Sequence, residues 1–334
     1  MPQTSGRNNV RWRSLFVWFF GLVSFVSIGL SSYVVFAVPV LQIRITFDSQ
    51  SYNVGSKISI YSNITLDGNP TANLGAIEVV SPHGDPYVIR TVKTGNVSQM
   101  YSRVQILSIY TSASDGTPKV LFNRGDIACV NITIGNLDFI MHHIVVGLYV
   151  QGSDGSSIHA LFPSQDNIDA NSTIQYLLSL TIPSNAALGQ ARVFASIFTD
   201  FPVNGGYAYC PERVANFSIG ASTPLLPQQP EYSTITFDLP RKDCRLGNYT
   251  VYAVTNYNVL QTATDSQQFK VILLGDVNKD NVINMRDINA LILIFNAKPQ
   301  SPNWNPDADL NKDEVVNMRD IIILVLTFQN SGIP

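Results

Sequence analysis

The sequence predicts a mostly β protein with two β-sandwiches, one inserted in the other. A small α-helical domain is expected after them and an N-terminal hydrophobic helix before them. Three observations predict this arrangement: short runs that alternate polar and apolar residues, two strand-flanking signatures that each occur twice, and a duplicated acidic loop near the C-terminus. Of the 334 residues, 45% are hydrophobic and 13% are charged, a balance typical of β-sandwich modules.

The chain begins with a basic flank, Arg7, Arg11 and Arg13, followed by an apolar run over residues 15–38. This order is typical of a secretory signal peptide, here with a cleavage point after Ala37. It is equally typical of an uncleaved membrane anchor, because the run is long enough to span a bilayer of ~30 Å. Under both interpretations residues 1–38 are a targeting segment, and the basic flank directs the rest of the chain outside the cell.

Short strands are indicated from about residue 40 to residue 272. Polar and apolar residues alternate along Lys57–Tyr61 and along Cys129–Ile134, as they do in a strand with one buried face. Asp-Gly pairs typical of turns separate such runs; they begin at Asp67, Asp115 and Asp154. Repeated short strands with turns of this kind predict β-sandwiches.

Two sequence signatures occur twice each. One marks the start of a sandwich and the other marks its end, and both start signatures precede both end signatures. The start is Phe/Tyr-Asn-x-Gly, which ends at Gly55 and again at Gly125, and the end is Leu-Gly, at Gly189 and Gly247. The inner glycines, Gly125 and Gly189, are 64 residues apart, whereas the outer ones, Gly55 and Gly247, are 192 apart. The simplest interpretation is that one domain is inserted into another, which surface loops tolerate.

The order of the signatures therefore predicts a specific domain division. An inserted sandwich occupies residues 100–221, the outer sandwich is built from residues 39–99 and 222–272, and a last domain occupies residues 273–334. The alternative is one complete sandwich flanked by fragments, which would leave unpaired strand edges. Both sandwiches resemble the immunoglobulin-like modules of exported surface proteins, and the outer one is most similar to the macroglobulin-type domain.

A twelve-residue loop at residues 276–287 recurs 33 residues later at residues 309–320. In both copies oxygen-bearing side chains occupy positions 1, 3, 5, 9 and 12. An EF-hand loop supplies calcium with oxygen ligands at this spacing and adds the backbone carbonyl of position 7, which is Val282 or Val315 here. At position 8, Ile283 and Val316 are expected to tie the two loops together in a short β-contact.

Each loop leads into a predicted helix with an apolar stripe at i, i+3, i+4 and i+7. The prolines at positions 299 and 302 are expected to end the first helix region. We expect the two stripes to pack against each other in a small calcium-stabilised domain. The stripe residues are Ile288, Leu291, Ile292 and Phe295 in the first helix and Ile321, Leu324, Val325 and Phe328 in the second.

The tandem loops, each followed by a helix, resemble the type I dockerin domain over residues 273–330. The resemblance implies two bound Ca²⁺ ions and docking onto a cohesin-like protein module. By position, the implied ligands are Asp276, Asn278, Asp280, Val282, Asn284 and Asp287, then Asp309, Asn311, Asp313, Val315, Asn317 and Asp320. Position 6, usually glycine, is Asn281 in the first loop and Glu314 in the second, so the second site is expected to be weaker or strained.

The residues that the resemblance places toward a partner are Met285, Arg286, Met318, Arg319, Ile322 and Ile323. The two identical Met-Arg pairs predict a surface of pseudo-twofold symmetry. The second helix is apolar on nearly every face, which predicts that part of it is covered. A separate cohesin-like partner is one candidate for that cover, and the protein's own sandwich is the other. In the second case calcium would only stabilise the C-terminus.

Further features indicate an exported protein. Sequons for N-glycosylation occur at Asn63, Asn96, Asn131, Asn171, Asn216 and Asn248. The chain has 3 cysteines, which allow one internal bridge; Cys210 with Cys244 is the preferred pair, and buried free thiols are the alternative. We therefore expect an extracellular or cell-surface location.

The sequence favours a non-catalytic function. The net charge is −3 without a basic patch, which argues against nucleic acid as a partner. No nucleophile elbow, zinc-ligand pair or phosphate loop is present in the sequence. The first hypothesis is a calcium-binding surface protein that docks to another protein. The alternative is a carbohydrate-binding protein or an accessory subunit of a polysaccharide-degrading surface complex, with aromatic side chains as the sugar platform.

Overall fold

The computed structural model describes residues 38–95, 97, 103–161, 165–220, 233–258 and 261–333. The chain divides into two units, Met1–Pro39 and Val40–Pro334, and every strand and helix below belongs to the second. The predicted N-terminal hydrophobic helix lies outside the described residues. Within the described ranges, no helix has both the length and the apolar character needed to cross a membrane.

The described part is mostly β, as predicted. Its first strands are β1 (Leu41–Phe47), β2 (Ser51–Asn53), β3 (Lys57–Leu66), β4 (Asn69–Pro70), β5 (Asn73–Val80) and β6 (Pro86–Thr94). The next are β7 (Val104–Ser112), β8 (Leu121–Phe122), β9 (Ile127–Asn136), β10 (His142–Gln151), β11 (Ser157–Leu161), β12 (Gln165–Ile168), β13 (Ser172–Thr181), β14 (Gly189–Phe198) and β15 (Arg213–Ile219). The last are β16 (Thr234–Asp238), β17 (Cys244–Arg245), β18 (Gly247–Tyr257), β19 (Gln261–Ile272) and β20 (Gly332–Ile333).

Strands from two separate stretches of the chain share the first pair of sheets. One sheet has the order β1-β3-β16, with β4 also paired to β3, and the other has the order β2-β19-β18-β5-β6. Ile58 and Ile60 of β3 are fully buried while Lys57 and Tyr61 are exposed, which confirms the predicted alternation. The inward side chains of the two sheets form one apolar core.

The second pair of sheets uses strands from the middle of the chain. Its orders are β7-β9-β13 and β8-β15-β14-β10-β11, with β12 also paired to β10. These orders correspond strand by strand to those of the first pair, including a parallel contact of the short second strand with the last one. A second apolar core lies between these sheets.

The two pairs of sheets contact each other through β6 and β10. Gly147 of β10 allows this approach, because a Cβ there would lie 2.5 Å from the Cγ2 of Ile89. Beside this contact the Arg90 guanidinium pairs with the Glu212 carboxylate at 2.6 Å and lies 3.5 Å from the centre of the Phe194 ring. Arg90 is 1% exposed, so a buried ion pair joins the two pairs of sheets.

All three cysteines are buried and free, so the preferred Cys210–Cys244 disulfide is wrong. The reason is their location: Cys210 packs in the core of the second pair of sheets, and Cys244 packs in the core of the first. Burial raises the pKa of each of these two thiols to about 11. The alternative interpretation, buried thiols, is the one that the structure supports.

The C-terminal segment folds around two helices, α1 (Met285–Leu293) and α2 (Met318–Leu326). Leu291 and Leu324 are fully buried in one shared apolar core with Ile283 and Val316, as the predicted stripes require. The first helix ends six residues before Pro299, so Phe295 lies beyond it and is exposed. Asn296 has φ 65°, a left-handed conformation that turns the chain out of the helix region earlier than predicted.

The predicted β-contact between Ile283 and Val316 is wrong. Ile283 exchanges backbone hydrogen bonds with the segment after α2, and Val316 exchanges them with the segment after α1. Each loop is therefore tied to the end of the other loop's helix. The segment after α2 continues into β20, which pairs in parallel with β17. Cys244 of β17 packs in the core of the first pair of sheets, so the C-terminal segment is attached to that pair.

Candidate metal centre

The first loop brings three carboxylates together. Asp276, Asp280 and Asp287 each offer an oxygen, and these oxygens lie within 4.8 Å of one another. Burial raises the pKa of Asp276, and the charges of Asp287 and Asp280 add to the rise. A carboxylate in such a place gains most from a cation, because a cation offsets both the lost hydration and the like charges.

Hydrogen bonds from the backbone hold these carboxylates in place. The Asp276 carboxylate accepts from the N–H of Asp280 at 3.0 Å and from the N–H of Asn281 at 2.9 Å. The Asp287 carboxylate accepts from the N–H of Val277 at 2.9 Å and from the N–H of Asn284 at 2.8 Å. Asp287 is fully buried at the start of α1, where the helix dipole also favours a negative charge.

The second loop repeats this pattern. Asp309 accepts from the N–H groups of Asp313 and Glu314, at 3.1 and 2.9 Å. Asp320 accepts from the N–H groups of Leu310 and Asn317, both at 2.8 Å. Equivalent donors therefore hold equivalent carboxylates in the two loops.

Each loop contains two residues in the left-handed backbone region. They are Lys279 and Asn281 in the first loop, with φ 62° and 64°, and Lys312 and Glu314 in the second, with φ 60° and 64°. The left-handed conformation at Glu314 is the one for which the sequence predicted strain, because asparagine and glycine adopt it far more readily than glutamate.

The asparagines at position 9 also cap the helices. The Asn284 side chain accepts from the N–H of Arg286 at 2.8 Å and donates to the carbonyl of Val282 at 3.1 Å. Asn317 accepts from Arg319 at 2.8 Å and donates to Val315 at 2.9 Å. An amide oxygen that caps a helix retains a second lone pair, and in EF-hand loops position 9 often reaches the ion through a water molecule.

The donor set fits a hard cation. Carboxylate oxygens converge in the first loop, both loops are rich in carboxylate and amide oxygens, and neither loop sequence contains histidine or cysteine. Calcium prefers six to eight oxygen ligands of these kinds. The remaining predicted ligands, Asn278 and Asn311, each donate to the neighbouring carboxylate of position 5, at 3.1 and 2.9 Å.

The residues predicted to face a partner lie mostly on the surface. Met285, Met318 and Ile322 are exposed, as are the side chains of Arg286 and Arg319. Ile323 differs, because it is half-buried and packs against the core of the domain.

Four further exposed apolar residues were missed by the sequence reasoning. They lie at equivalent positions on the two helices, which is the signal that could have revealed them: Ile292 and Leu293 on α1, and Val325 and Leu326 on α2. Leu293 is 81% exposed and Leu326 is 73% exposed. Ile292 and Val325 had been assigned to the inward stripes, but each is more than half exposed. The helices therefore present an apolar surface that the domain itself leaves uncovered.

The sequons differ in accessibility. Asn63, Asn171 and Asn248 are exposed, whereas Asn131 and Asn216 are half-buried within strands. Asn131 also donates to the Ser112 hydroxyl at 2.6 Å. Asn96 lies outside the described residues. Glycosylation at these asparagines stays a prediction.

One segment of the chain matches a known protein family. Residues 274–326, under a fifth of the chain, match the family described as the dockerin type I domain. No curated protein matches the chain. The matched segment contains both loops and both helices, so the site described above lies within it.

Among solved structures the likenesses are partial. The alkylpurine DNA glycosylase AlkC of Pseudomonas fluorescens, bound to DNA containing an abasic site analog, is 12% identical with a TM-score of 0.29; the alignment covers 36% of this chain and 31% of that one, so it spans less than a third of that protein. The sporulation control protein Spo0M of Bacillus subtilis is 10% identical with a TM-score of 0.26, covering 50% and 90%. Scores this low carry no functional argument.

Proposed function

We propose that this chain is a non-catalytic extracellular or cell-surface protein whose C-terminal domain binds two Ca²⁺ ions and docks onto a cohesin-like module. One observation carries the proposal: both loops hold their carboxylates with equivalent hydrogen bonds, in a segment that matches the dockerin type I family. Type I dockerin domains bind calcium and cohesin modules. The coarser conclusion, a docking domain of this family, rests on the match itself.

We assign the ligands by loop position. Each ion is held by the carboxylates of positions 1, 5 and 12, the amide oxygens of positions 3 and 9, and the carbonyl of position 7. The residues are Asp276, Asn278, Asp280, Val282, Asn284 and Asp287 for one ion, and Asp309, Asn311, Asp313, Val315, Asn317 and Asp320 for the other. When bound, the ions supply positive charge that offsets the repulsion among the carboxylates.

Docking and intramolecular attachment use different surfaces of the domain. The attachment runs through residues 330–333, which bond to Val54 and β17 of the outer sandwich. The exposed apolar side chains of α1 and α2 lie outside that contact and remain available to a partner. The sandwich therefore leaves the second helix exposed, and we propose a separate cohesin-like partner as its cover.

The domain division is part of the same proposal. The two pairs of sheets have corresponding strand orders, and the outer pair combines strands before residue 95 with strands after residue 233. This supports an inserted sandwich over residues 100–221 and an outer one over residues 39–99 and 222–272. The orders also agree with the immunoglobulin-like arrangement, in which two antiparallel sheets face each other.

An extracellular location follows from the function, because calcium loops of this kind are filled where calcium is abundant. The accessible sequons at Asn63, Asn171 and Asn248 agree with it. The alternative function, carbohydrate binding, has no separate observation in its favour: most aromatic pairs of the described residues, such as the stacked Tyr249 and Phe269, lie in the cores.

Titration calorimetry of the full chain with calcium tests the proposal. We expect two equivalents to bind, one equivalent to remain after Asp276→Ala or Asp309→Ala, and none after the double substitution. Asp307→Asn is the matched control, because Asp307 is an exposed acid that pairs with Lys279 of the first loop at 2.8 Å but occupies no ligand position. Absence of calcium binding by the unaltered chain at millimolar concentrations would refute the assignment.

A further inference from the structure

A second exposed apolar surface lies far from the calcium loops, on the turn between β9 and β10. We call residues 137–141 the apolar tip; its one acid, Asp138, pairs with the His142 ring at 3.1 Å. Leu137, Phe139, Ile140 and Met141 are all exposed there, Phe139 by 75% and Ile140 by 60%. Four large apolar side chains on one turn are costly to leave in water, and clusters of this kind mark interaction sites.

The backbone holds the tip in a defined shape. Asn136 is fully buried, and its side-chain amide donates to the carbonyls of Ile140, Ile168 and Asp169 at 2.8–3.1 Å. The N–H of Leu137 donates to the carbonyl of Arg103 at 2.7 Å. The apolar side chains therefore point outward from a pinned turn.

The corresponding turn of the outer sandwich is polar. It joins β3 to β5, as the apolar tip joins β9 to β10, and its residues are Asp67, Gly68, Asn69, Pro70, Thr71 and Ala72. The same strand arrangement therefore forms without large apolar side chains at this turn. The fold does not require apolar side chains at this turn, so we attribute them to a surface that the tip contacts.

The location of the tip indicates the contact. The chain enters the outer sandwich at the polar turn, where Val40 and Asp67 exchange hydrogen bonds of 2.8 and 2.9 Å. Leu74, which follows that turn, shares an apolar cluster with Val145, three residues after β10 begins. The apolar tip therefore lies toward the same end of the molecule as the entry of the chain.

The sequence before Val40 is the apolar run of residues 15–38. Only Pro39 separates this run from Val40, and β1 begins at Leu41. If the run is retained in a bilayer, the end of the molecule that carries Val40 is held within a few residues of the lipid headgroups. This chain connectivity selects a membrane, rather than a protein, as the surface that the tip meets.

We infer that the apolar tip inserts into the interfacial region of a lipid bilayer, an inference that rests on the predicted anchor and not on the docking function. Apolar side chains at this depth gain hydrophobic burial. Arg103, whose guanidinium lies 5.6 Å from the centre of the Phe139 ring, is suited to contact lipid phosphate at the headgroup level. The calcium domain attaches near Val54 and β17, at the opposite end of the strands of the outer sandwich.

The test uses the full chain in phosphatidylcholine nanodiscs, with an environment-sensitive fluorophore attached to Phe139→Cys. Ile127→Cys is the matched control, because Ile127 is an exposed apolar residue at the opposite end of β9 from the tip. Labelling is selective because the native cysteines are buried. We expect a blue shift of the emission and quenching by nitroxide-bearing lipids at position 139, with neither change at position 127.

Three results would overturn the inference. The first is a fluorophore at position 139 that reports water and escapes quenching while residues 1–37 are in the nanodisc. The second is a blue-shifted emission at position 139 that appears only when a protein fraction is added, which would identify a protein partner. The third is a mature chain that begins after Ala37 and binds no lipid. Calcium binding by the same samples shows that the variants are folded and leaves the docking proposal separately testable.

Discussion

The sequence predicts which loop residues lie close together, because the spacing of their oxygen-bearing side chains is typical of an EF-hand loop. The acids at positions 1, 5 and 12 of the first loop do lie together, and Glu314 has the left-handed backbone that the spacing implied; their role as calcium ligands stays a prediction. The role of Asn330 was not predictable. Its side-chain amide donates to the carbonyl of Val54, 276 residues earlier in the chain, at 3.2 Å, and no local pattern encodes so distant a partner.

Glu314→Gly should strengthen the second site. Glu314 has φ 64°, and a residue with a Cβ costs about 1 kcal/mol more than glycine in this conformation. We expect calcium affinity of the second loop to rise by a few-fold when it is measured in the Asp276→Ala background, which removes the first site. Asn281→Gly in the Asp309→Ala background is the control and should gain less, because asparagine tolerates φ > 0. An equal gain in both loops would show that Glu314 is not strained.

At the scale of elements, the helices and alternating strands were predictable because their periodicity is local. The direction of the helix faces was predicted only in part. Leu291 and Leu324 point inward as the stripes require, but Ile292 and Val325 point outward, because the domain is too small to bury a broad face. The contact of β20 with β17 could not be predicted, since two-residue strands carry no periodic signal.

The segment around β20 should couple the first calcium loop to the outer sandwich. The N–H of Ile283 donates to the carbonyl of Asn330 and the N–H of Gly332 donates to the carbonyl of Asn281, both at 2.9 Å. Asn330→Ala removes the buried hydrogen bond to Val54, which should cost about 1–2 kcal/mol. Hydrogen exchange should then accelerate at Cys244 and Leu246, whose amides donate to residues 331 and 333.

Gln329→Ala, one residue earlier and exposed, provides the control for Asn330→Ala and should leave exchange at Cys244 and Leu246 unchanged. Calcium removal by chelation should act in the same direction as Asn330→Ala, because the first loop supports the segment. If exchange at these amides does not respond to either change, the segment and the sandwich are independent.

In the whole molecule, the order of the repeated signatures predicted two nested sandwiches; the structure has two pairs of sheets with corresponding strand orders, and the domain division stays a prediction. The contact between the sandwiches was not predictable. Arg90 lies in the strand β6, where five consecutive residues are buried, and Glu212 is 122 residues away, so neither residue type nor spacing indicates that they form a buried pair. Such a pair depends on how two complete sandwiches pack, which sequence patterns within each sandwich do not contain.

The Arg90–Glu212 pair should fix the two sandwiches together. Arg90→Met leaves the Glu212 carboxylate without its buried partner, and loss of one member of such a pair costs roughly 3–5 kcal/mol. Urea unfolding of the full chain measures this loss. Asp85→Asn, which breaks the exposed pair of Asp85 with Arg245, should cost less than about 1 kcal/mol. Similar losses in the free energy of unfolding for the two variants would mean that the buried pair contributes little to the contact between the two pairs of sheets.

We expect the C-terminal domain to dock to a partner through its exposed helices in a calcium-dependent way. Its most direct test is binding of the full chain to a panel of immobilised cohesin modules, with calcium and with chelator. Binding should occur in calcium only. It should be lost in the double variant Leu293→Asp/Leu326→Asp and retained in Ile127→Asp, because Ile127 is an exposed apolar residue of β9, outside the C-terminal domain. Binding that persists in chelator, or no binding to any cohesin by the calcium-loaded chain, would contradict it.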